Sequence, residues 1–336
     1  MRAARNRYDA YLQVMNRLEY YVLCGHTPDK VELIIMGGTF PALSARYQEA
    51  FVRDALAAMN DFGRLFFLGG RFRVARFKAF FELPGDVHDE ARLRRIQKRM
   101  RSHETRSLSE EQRRNETSFI KCVGMTIETR PDADIVGQAE RMLRLGATRV
   151  ELGVQSIYDD VLAAVERGHT VQDSVRAIQV CKDLGFKVNA HIMPGLPGSD
   201  FDRDVRMFHE LFSDTRFRPD MLKIYPCMVM PGTRLAEEYM LGRFIPMDTA
   251  TAVRLLSHVK PEIPGYVRIM RVQRDIPTPE IVAGVDMTNL RQKVHELGVE
   301  CNCIRCREIR ESRIEDPSLH VLEYAASGGR EFFITV

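Results

Sequence analysis

Apolar and polar positions follow two rhythms along this chain. Short, nearly continuous apolar runs recur as "KVELIIMGG" (30–38), "FIKCVGMTIETRPD" (119–132), "TRVELGVQS" (148–156), "FKVNAHIMPGLPG" (186–198) and "MLKIYPCMVMPGT" (221–233). Each ends in glycine, proline or polar residues, the mark of a buried strand entering a loop. Between them lie segments with helical spacing: "ALSARYQEAFVRDALAAMN" (42–60), "ADIVGQAERMLRLGA" (133–147), "TVQDSVRAIQVCKDLG" (170–185) and "FDRDVRMFHELFS" (201–213). Strands alternating with helices imply βαβ units and a parallel sheet, here a full or partial barrel. The loops that follow the strands are then its working face. After about Pro277 the rhythm weakens, and "GVECNCIRCREIRE" starts a separate small module.

Composition adds limits. The 336 residues are 45% hydrophobic, enough for one large α/β domain or two smaller ones. No run of eighteen apolar residues occurs and the first ten residues are no secretion signal, so a soluble, cytoplasmic protein without membrane contact is expected. The net charge of +3 conceals an uneven distribution: residues 91–115 hold nine Arg/Lys against three Glu, which leaves the rest of the chain at −3. A basic run of this kind is ordinarily a solvated helix face, and otherwise a phosphate-binding surface. Seven cysteines, four scattered and three clustered as Cys301, Cys303 and Cys306, form no disulfide framework. Three thiols at that density suit a metal, with a fourth ligand that is not local.

The strand ends carry the candidate chemistry: Gly37-Gly38-Thr39, Glu128-Thr129-Arg130, Gly153-Val154-Gln155-Ser156, Asn189-Ala190-His191 and the glycines of 195–198. Glycines there let backbone approach a ligand, and Glu, Gln and His at neighbouring strand ends converge on one pocket. Taken singly, each motif could merely turn the chain. Five in succession favour a ligand site, without naming the ligand.

These motifs, "TIETRPD", "VELGVQS", "NAHIMPGLPG" and "LKIYPCMVMPGT", resemble the radical S-adenosylmethionine barrel of the Elongator catalytic subunit family. "GHTPDKVELIIMGGTFPALSARYQEAFV", "QRRNETSFIKCVGMTIETRPD", "VRIMRVQRDIP" and "CNCIRCRE" resemble that family specifically. The resemblance implies addition of an acetyl-derived, carboxymethyl-type unit to carbon 5 of the tRNA wobble uridine. It further implies S-adenosylmethionine and a [4Fe–4S] cluster as cofactors, acetyl-CoA as substrate, and tRNA and Elongator-type subunits as partners. Two departures stand out. Only Cys24 precedes Gly37, so the cluster loop and its strand are expected to be missing, with the cluster held only by a full-length parent and this chain inactive on its own. The chain also stops where an acetyltransferase domain is expected to begin. A non-catalytic tRNA-binding scaffold is the alternative reading, and an aldolase-like phosphate-binding barrel a distant third.

The expected architecture is an α/β partial (β/α) barrel of radical SAM type over 1–276, lacking its first strand. A small zinc-binding module over 277–323 and the start of an acetyltransferase domain over 324–336 follow it. By the same resemblance Gly37, Gly38, Thr39, Glu128, Gln155, Arg167 and His191 bind S-adenosylmethionine. Lys223 and Tyr225 face the substrate as catalytic residues. Cys301, Cys303 and Cys306 hold a structural zinc, completed by His295, His320 or a residue beyond the end, with unligated cysteines and an iron–sulfur cluster as the lesser readings. Arg94, Arg95, Lys98, Arg99 and Arg101, with Arg268, Arg271 and Arg274, contact tRNA phosphates without reading sequence.

Overall fold

The computed structural model describes residues 2–336 other than 38, 87, 103, 132–133, 275 and 311–315. Six strands form one sheet in the order β1-β2-β3-β4-β5-β6: β1 Lys30–Ile35, β2 Lys121–Thr129, β3 Arg149–Gln155, β4 Lys187–Ile192, β5 Met221–Ile224 and β6 Arg268–Val272. The pairs β1–β2, β3–β4, β4–β5 and β5–β6 are all parallel. Five of these strands are the expected apolar runs. The sixth is short, and its register skips Met270, so Arg271 falls opposite Lys223. A closing antiparallel pair, β7 His320–Ala326 and β8 Gly329–Thr335, lies apart from that sheet. No helix among the described residues is long and apolar enough to cross a membrane.

The chain divides into two compact units, Met1–Ile127 with Arg141–Thr148, and Glu128–Glu140 with Arg149–Val336. In the first unit, α1 (Ala10–Leu23) and the long α2 (Ala45–Phe66) pack together. Asp9 and Ser44 cap their N-termini by accepting from Leu12 and Tyr47 N–H, satisfying donors that lack partners in the first turn. Leu12, Met15, Met59, Phe62, Phe66 and Phe81 form its core. The same unit holds a largely buried polar network. The Tyr11 hydroxyl donates to Asp61, Asn60 donates to Glu111 at 2.8 Å, and Arg114 donates to both carboxylates. Those groups are buried but paired, the condition under which burying them is tolerable.

In the second unit β3, β4 and β5 are buried on both faces. Val150, Leu152 and Val154 on β3, Val188, Ala190 and Ile192 on β4, and Leu222 and Ile224 on β5 are fully inaccessible. The helices Val171–Asp183, Phe201–Ser213 and Thr249–Val259 bury apolar stripes of their own in this unit. Because side chains alternate across a strand, the opposite face presents Glu151 and Gly153, then Asn189 and His191, then Lys223, with Tyr225 just past β5 packed on His191. The register shifts between Leu152 and Gln155, and the Gln155 amide lies on the Gly153 side, 3.1 Å from where a Cβ would stand. A strand buried on both faces ordinarily reads as continuous hydrophobic residues. Here one face is polar, and it carries most of the candidate site residues.

Candidate functional site

The rim of the polar face is tied by backbone bonds from strand to strand: Met193 N–H donates to Gln155, Tyr225 N–H to Ile192, and Gln273 N–H to Ile224. Gln155 ends β3 with φ +68°, a left-handed conformation uncommon for a residue with a side chain and one that concentrates at functional sites. Its carbonyl Oε1 is buried and meets no protein donor. Two residues earlier, Gly153 leaves room for Arg167: a Cβ there would lie 2.5 Å from the guanidinium, which donates to the Gly153 carbonyl at 3.3 Å. Arg130 in turn donates to the Arg167 carbonyl at 3.2 Å. Gln155 and Arg167 line a cleft of about 1230 Å³, together with Met193, Gly195, Leu196 and Met247. That is ample for a nucleoside-sized ligand.

One wall of the cleft is the turn after β4. Gly195 sits at φ +78° with its missing Cβ 3.1 Å from Met247, and its N–H donates to Asp204 at 2.7 Å. The Ser199 hydroxyl donates to the other Asp204 oxygen at 2.6 Å. Burial pushes the Asp204 carboxyl up to about 6, against the pull of those two donors.

Deeper on the same face, Glu151 accepts from three side chains. Asn189 Nδ2 donates to Oε1 at 3.0 Å, while His191 Nε2 at 3.0 Å and Lys223 Nζ at 2.5 Å meet Oε2. Burial pushes this carboxyl up, but the His191 hydrogen bond and the Lys223 charge outweigh it and hold it below the usual carboxylate range. The other His191 nitrogen stands 3.7 Å from Glu128, and the Tyr225 ring packs edge-on at 5.4 Å. Burial raises the Tyr225 phenol to about 12. Glu128, Gln155, His191 and Lys223 thus lie on strands, and Arg167 and Tyr225 on two loops, of a single unit. Glu151 was missed by sequence reasoning, which read it only as a strand residue; its partners stand 38 to 72 residues away. Gly37, at φ +115°, and Thr39 follow β1 in the first unit, and Gly38 lies outside the described residues.

The three cysteines do come together: the Cys301, Cys303 and Cys306 sulfurs lie within 4.8 Å of one another. Among the described residues neither His295 nor His320 belongs to that group, and His320 Nε2 instead meets the Ser318 hydroxyl at 2.9 Å. The Cys301 thiol, donating to Cys303, holds the Cys303 thiol far below its usual range, helped by backbone N–H groups of Ile269 and Cys306 and opposed by burial. A thiolate-ready cysteine is the form that binds metal. The loop docks on the outer edge of β6, where Ile304 N–H donates to Val267 and Arg305 donates to Met270. An edge strand is thereby covered.

The basic run is split over two helices, α3 (Glu90–Arg101) and Leu108–Thr117, and Ile96 and Met100 of α3 turn to the core of the first unit. Arg94 pairs with Glu90, Arg95 and Arg99 with Glu82, and Arg101 approaches Asp9 at 3.9 Å, while Lys98 is exposed. Such surface pairs are weak. Helix α1 packs beside α3 and carries an aromatic face invisible in the basic run: Arg17 lies 4.4 Å from the centre of the Tyr21 ring and 5.2 Å from that of Tyr20, which is exposed. The other three arginines separate. Arg268 pairs with Glu308 at 2.5 Å, Arg271 lies opposite Lys223, and Arg274 stands 5.8 Å from the Tyr225 ring centre.

Comparison with known proteins agrees with this arrangement. The Radical SAM superfamily model matches residues 3–211, and the Radical_SAM C-terminal domain model matches 219–297. A tRNA uridine(34) acetyltransferase of Methanocaldococcus infernus is 41% identical over all of this chain and 57% of its own length. Elongator complex protein 3 of Danio rerio is 37% identical over all of this chain and 56% of its own. The chain therefore spans little more than half the length of these relatives. The solved structure of the archaeal Methanocaldococcus infernus Elp3 with residues 1–46 deleted superposes with a TM-score of 0.83 at 40% identity, covering 99% of this chain and 71% of that one. A partial barrel of parallel strands, a polar strand-end cleft and these matches together place the chain in the radical SAM superfamily, within the family of the Elongator catalytic subunit.

Proposed function

We propose that this chain supplies the radical SAM portion of an enzyme that modifies the wobble uridine of tRNA, adding a carboxymethyl-type unit to carbon 5 at the expense of acetyl-CoA. The observation that carries the reading is the Gln155 corner. A strained strand end presents a buried amide carbonyl with no protein donor, on the wall of a nucleoside-sized cleft. An acceptor left in that state is costly unless a ligand or water supplies the donor. S-adenosylmethionine fits the requirement, since its amino groups donate and its carboxylate suits the planar fork of Arg167. With a [4Fe–4S] cluster, S-adenosylmethionine supplies a carbon-centred radical when bound. The chain's own part is to orient that ligand through Gln155, Arg167, Glu128 and His191, and to exclude water with Met193, Leu196 and Met247.

Helix α3 and the Arg17–Tyr20–Tyr21 face of α1 are the proposed tRNA surface of the first unit. Arginines and Lys98 neutralise phosphates, and exposed tyrosine offers a stacking partner to an unpaired base. Cys301, Cys303 and Cys306 are proposed to hold a structural zinc, whose three thiolates staple the C-terminal loop to β6. Acetyl-CoA and Elongator-type subunits are proposed partners of the whole enzyme, which is proposed to work in the cytoplasm. Binding of an unmodified tRNA transcript tests the reading. Affinity should fall steeply as salt rises, and salt-independent binding, or none at low salt, would refute it.

A further inference from the structure

Glu151 is the most heavily engaged side chain of the polar face, and no cofactor or substrate contact described above gives it a task. It lies four residues before Gln155 on β3. It is 1% exposed, as is Asn189, and Lys223 and His191 are 6% exposed. A carboxylate and an ammonium buried this far are tolerated only if each meets its partner. Here one carboxylate serves three donors from two neighbouring strands, and the register explains why: Glu151 stands opposite Asn189, and His191 opposite Lys223.

The consequence reaches beyond charge balance. Because Glu151 Oε1 takes the Asn189 Nδ2 hydrogen, the Asn189 amide has one orientation. The flipped one would set carbonyl against carboxylate. Its Oδ1 is thereby turned away, buried and without a protein donor. The Glu151 Oε2 contact likewise fixes the proton of His191 on Nε2 and leaves Nδ1 toward Glu128. One residue therefore sets the amide orientation of Asn189, the tautomer of His191 and the direction of the Lys223 ammonium.

We propose that Glu151 is the positioning residue of the site, acting through Asn189, His191 and Lys223 rather than by touching ligand itself. The inference rests on the reading of this face as the ligand-facing one. A residue of purely structural importance would give up fold stability when replaced, yet would leave the His191 tautomer and the ligand affinity as they were. Nitrogen-15 histidine NMR of the full chain separates the two, with His191 assigned by loss of its signals in His191→Gln. In the wild type, His191 should carry its hydrogen on Nε2; a bare Nε2 would overturn the proposal before any variant is made.

In Glu151→Gln the Nε2 signal should change. Affinity for S-adenosylmethionine, measured by calorimetry, should fall by about tenfold or more, as expected for loss of a charged hydrogen-bond acceptor. Glu151→Asp, which keeps the charge, should recover Nε2 protonation and part of the affinity. Unchanged His191 signals and unchanged affinity in Glu151→Gln would refute the role. If Glu151→Gln does not fold, the wild-type tautomer and the aspartate variant still decide. If the wild type binds no S-adenosylmethionine, the ligand reading fails while the NMR arm still decides what Glu151 does.

Discussion

Replacing Asp204 by asparagine should change how stability depends on pH, by an amount the structure sets. The carboxyl is buried behind the turn that walls the cleft, with a folded value of about 6 against an ordinary 3.8. The folded value lies above the unfolded one, so well below pH 3.8 the group is protonated in both states and costs nothing. As pH rises from about 4 to about 6 the unfolded chain releases this proton first, and stability is lost through that window. Two units at 1.36 kcal/mol each give a cost of roughly 3 kcal/mol, fully developed near neutrality. Asparagine cannot ionise, yet it can satisfy both neighbours: its Oδ1 accepts from Gly195 N–H and its Nδ2 donates to the Ser199 hydroxyl. Urea unfolding of both proteins at several values between pH 4 and pH 7 reads the effect. The stability of Asp204→Asn relative to wild type should climb across the window by up to roughly 3 kcal/mol. A difference that stays flat within about 0.5 kcal/mol would refute the reasoning.

Two further outcomes are expected. Purified protein should hold about one zinc per chain, and Cys303→Ser should release it and loosen the loop on β6 while the sheet stays folded. Elemental analysis with iron and sulfide in several-fold excess over zinc would contradict this. Reversing Arg94, Arg95, Lys98 and Arg99 to Glu should weaken binding of all tRNAs alike, and should flatten the log–log salt slope by about 0.9 for each duplex phosphate no longer neutralised. Unchanged slope would remove α3 from the RNA surface.

Much of the sheet was legible because its apolar runs end in glycine, proline or polar residues and alternate with segments of helical spacing. Strand β6 was not, because five residues with two arginines and a skipped Met270 carry no alternation to read. The site divided in the same way. Gln155, His191 and Lys223 fall at strand ends or beside glycine and proline, where local pattern betrays them. Glu151 looks like any polar strand residue until β4 and β5 bring Asn189, His191 and Lys223 to it. The left-handed backbone of Gln155 and the pairing of Arg95 and Arg99 with Glu82 are likewise products of tertiary contact. The cysteine trio was plain from spacing, while the histidines considered as its fourth ligand are not brought to it among the described residues.

The central claim is that the cleft at the end of β3 receives S-adenosylmethionine through the unpaired Gln155 carbonyl. Calorimetric titration of S-adenosylmethionine into wild type and Gln155→Leu, with tRNA affinity measured on the same two proteins, tests it most directly. Leucine fills the same space and offers no acceptor, so S-adenosylmethionine affinity should fall about tenfold while tRNA affinity is unchanged. Equal S-adenosylmethionine affinity in the two proteins would contradict the account.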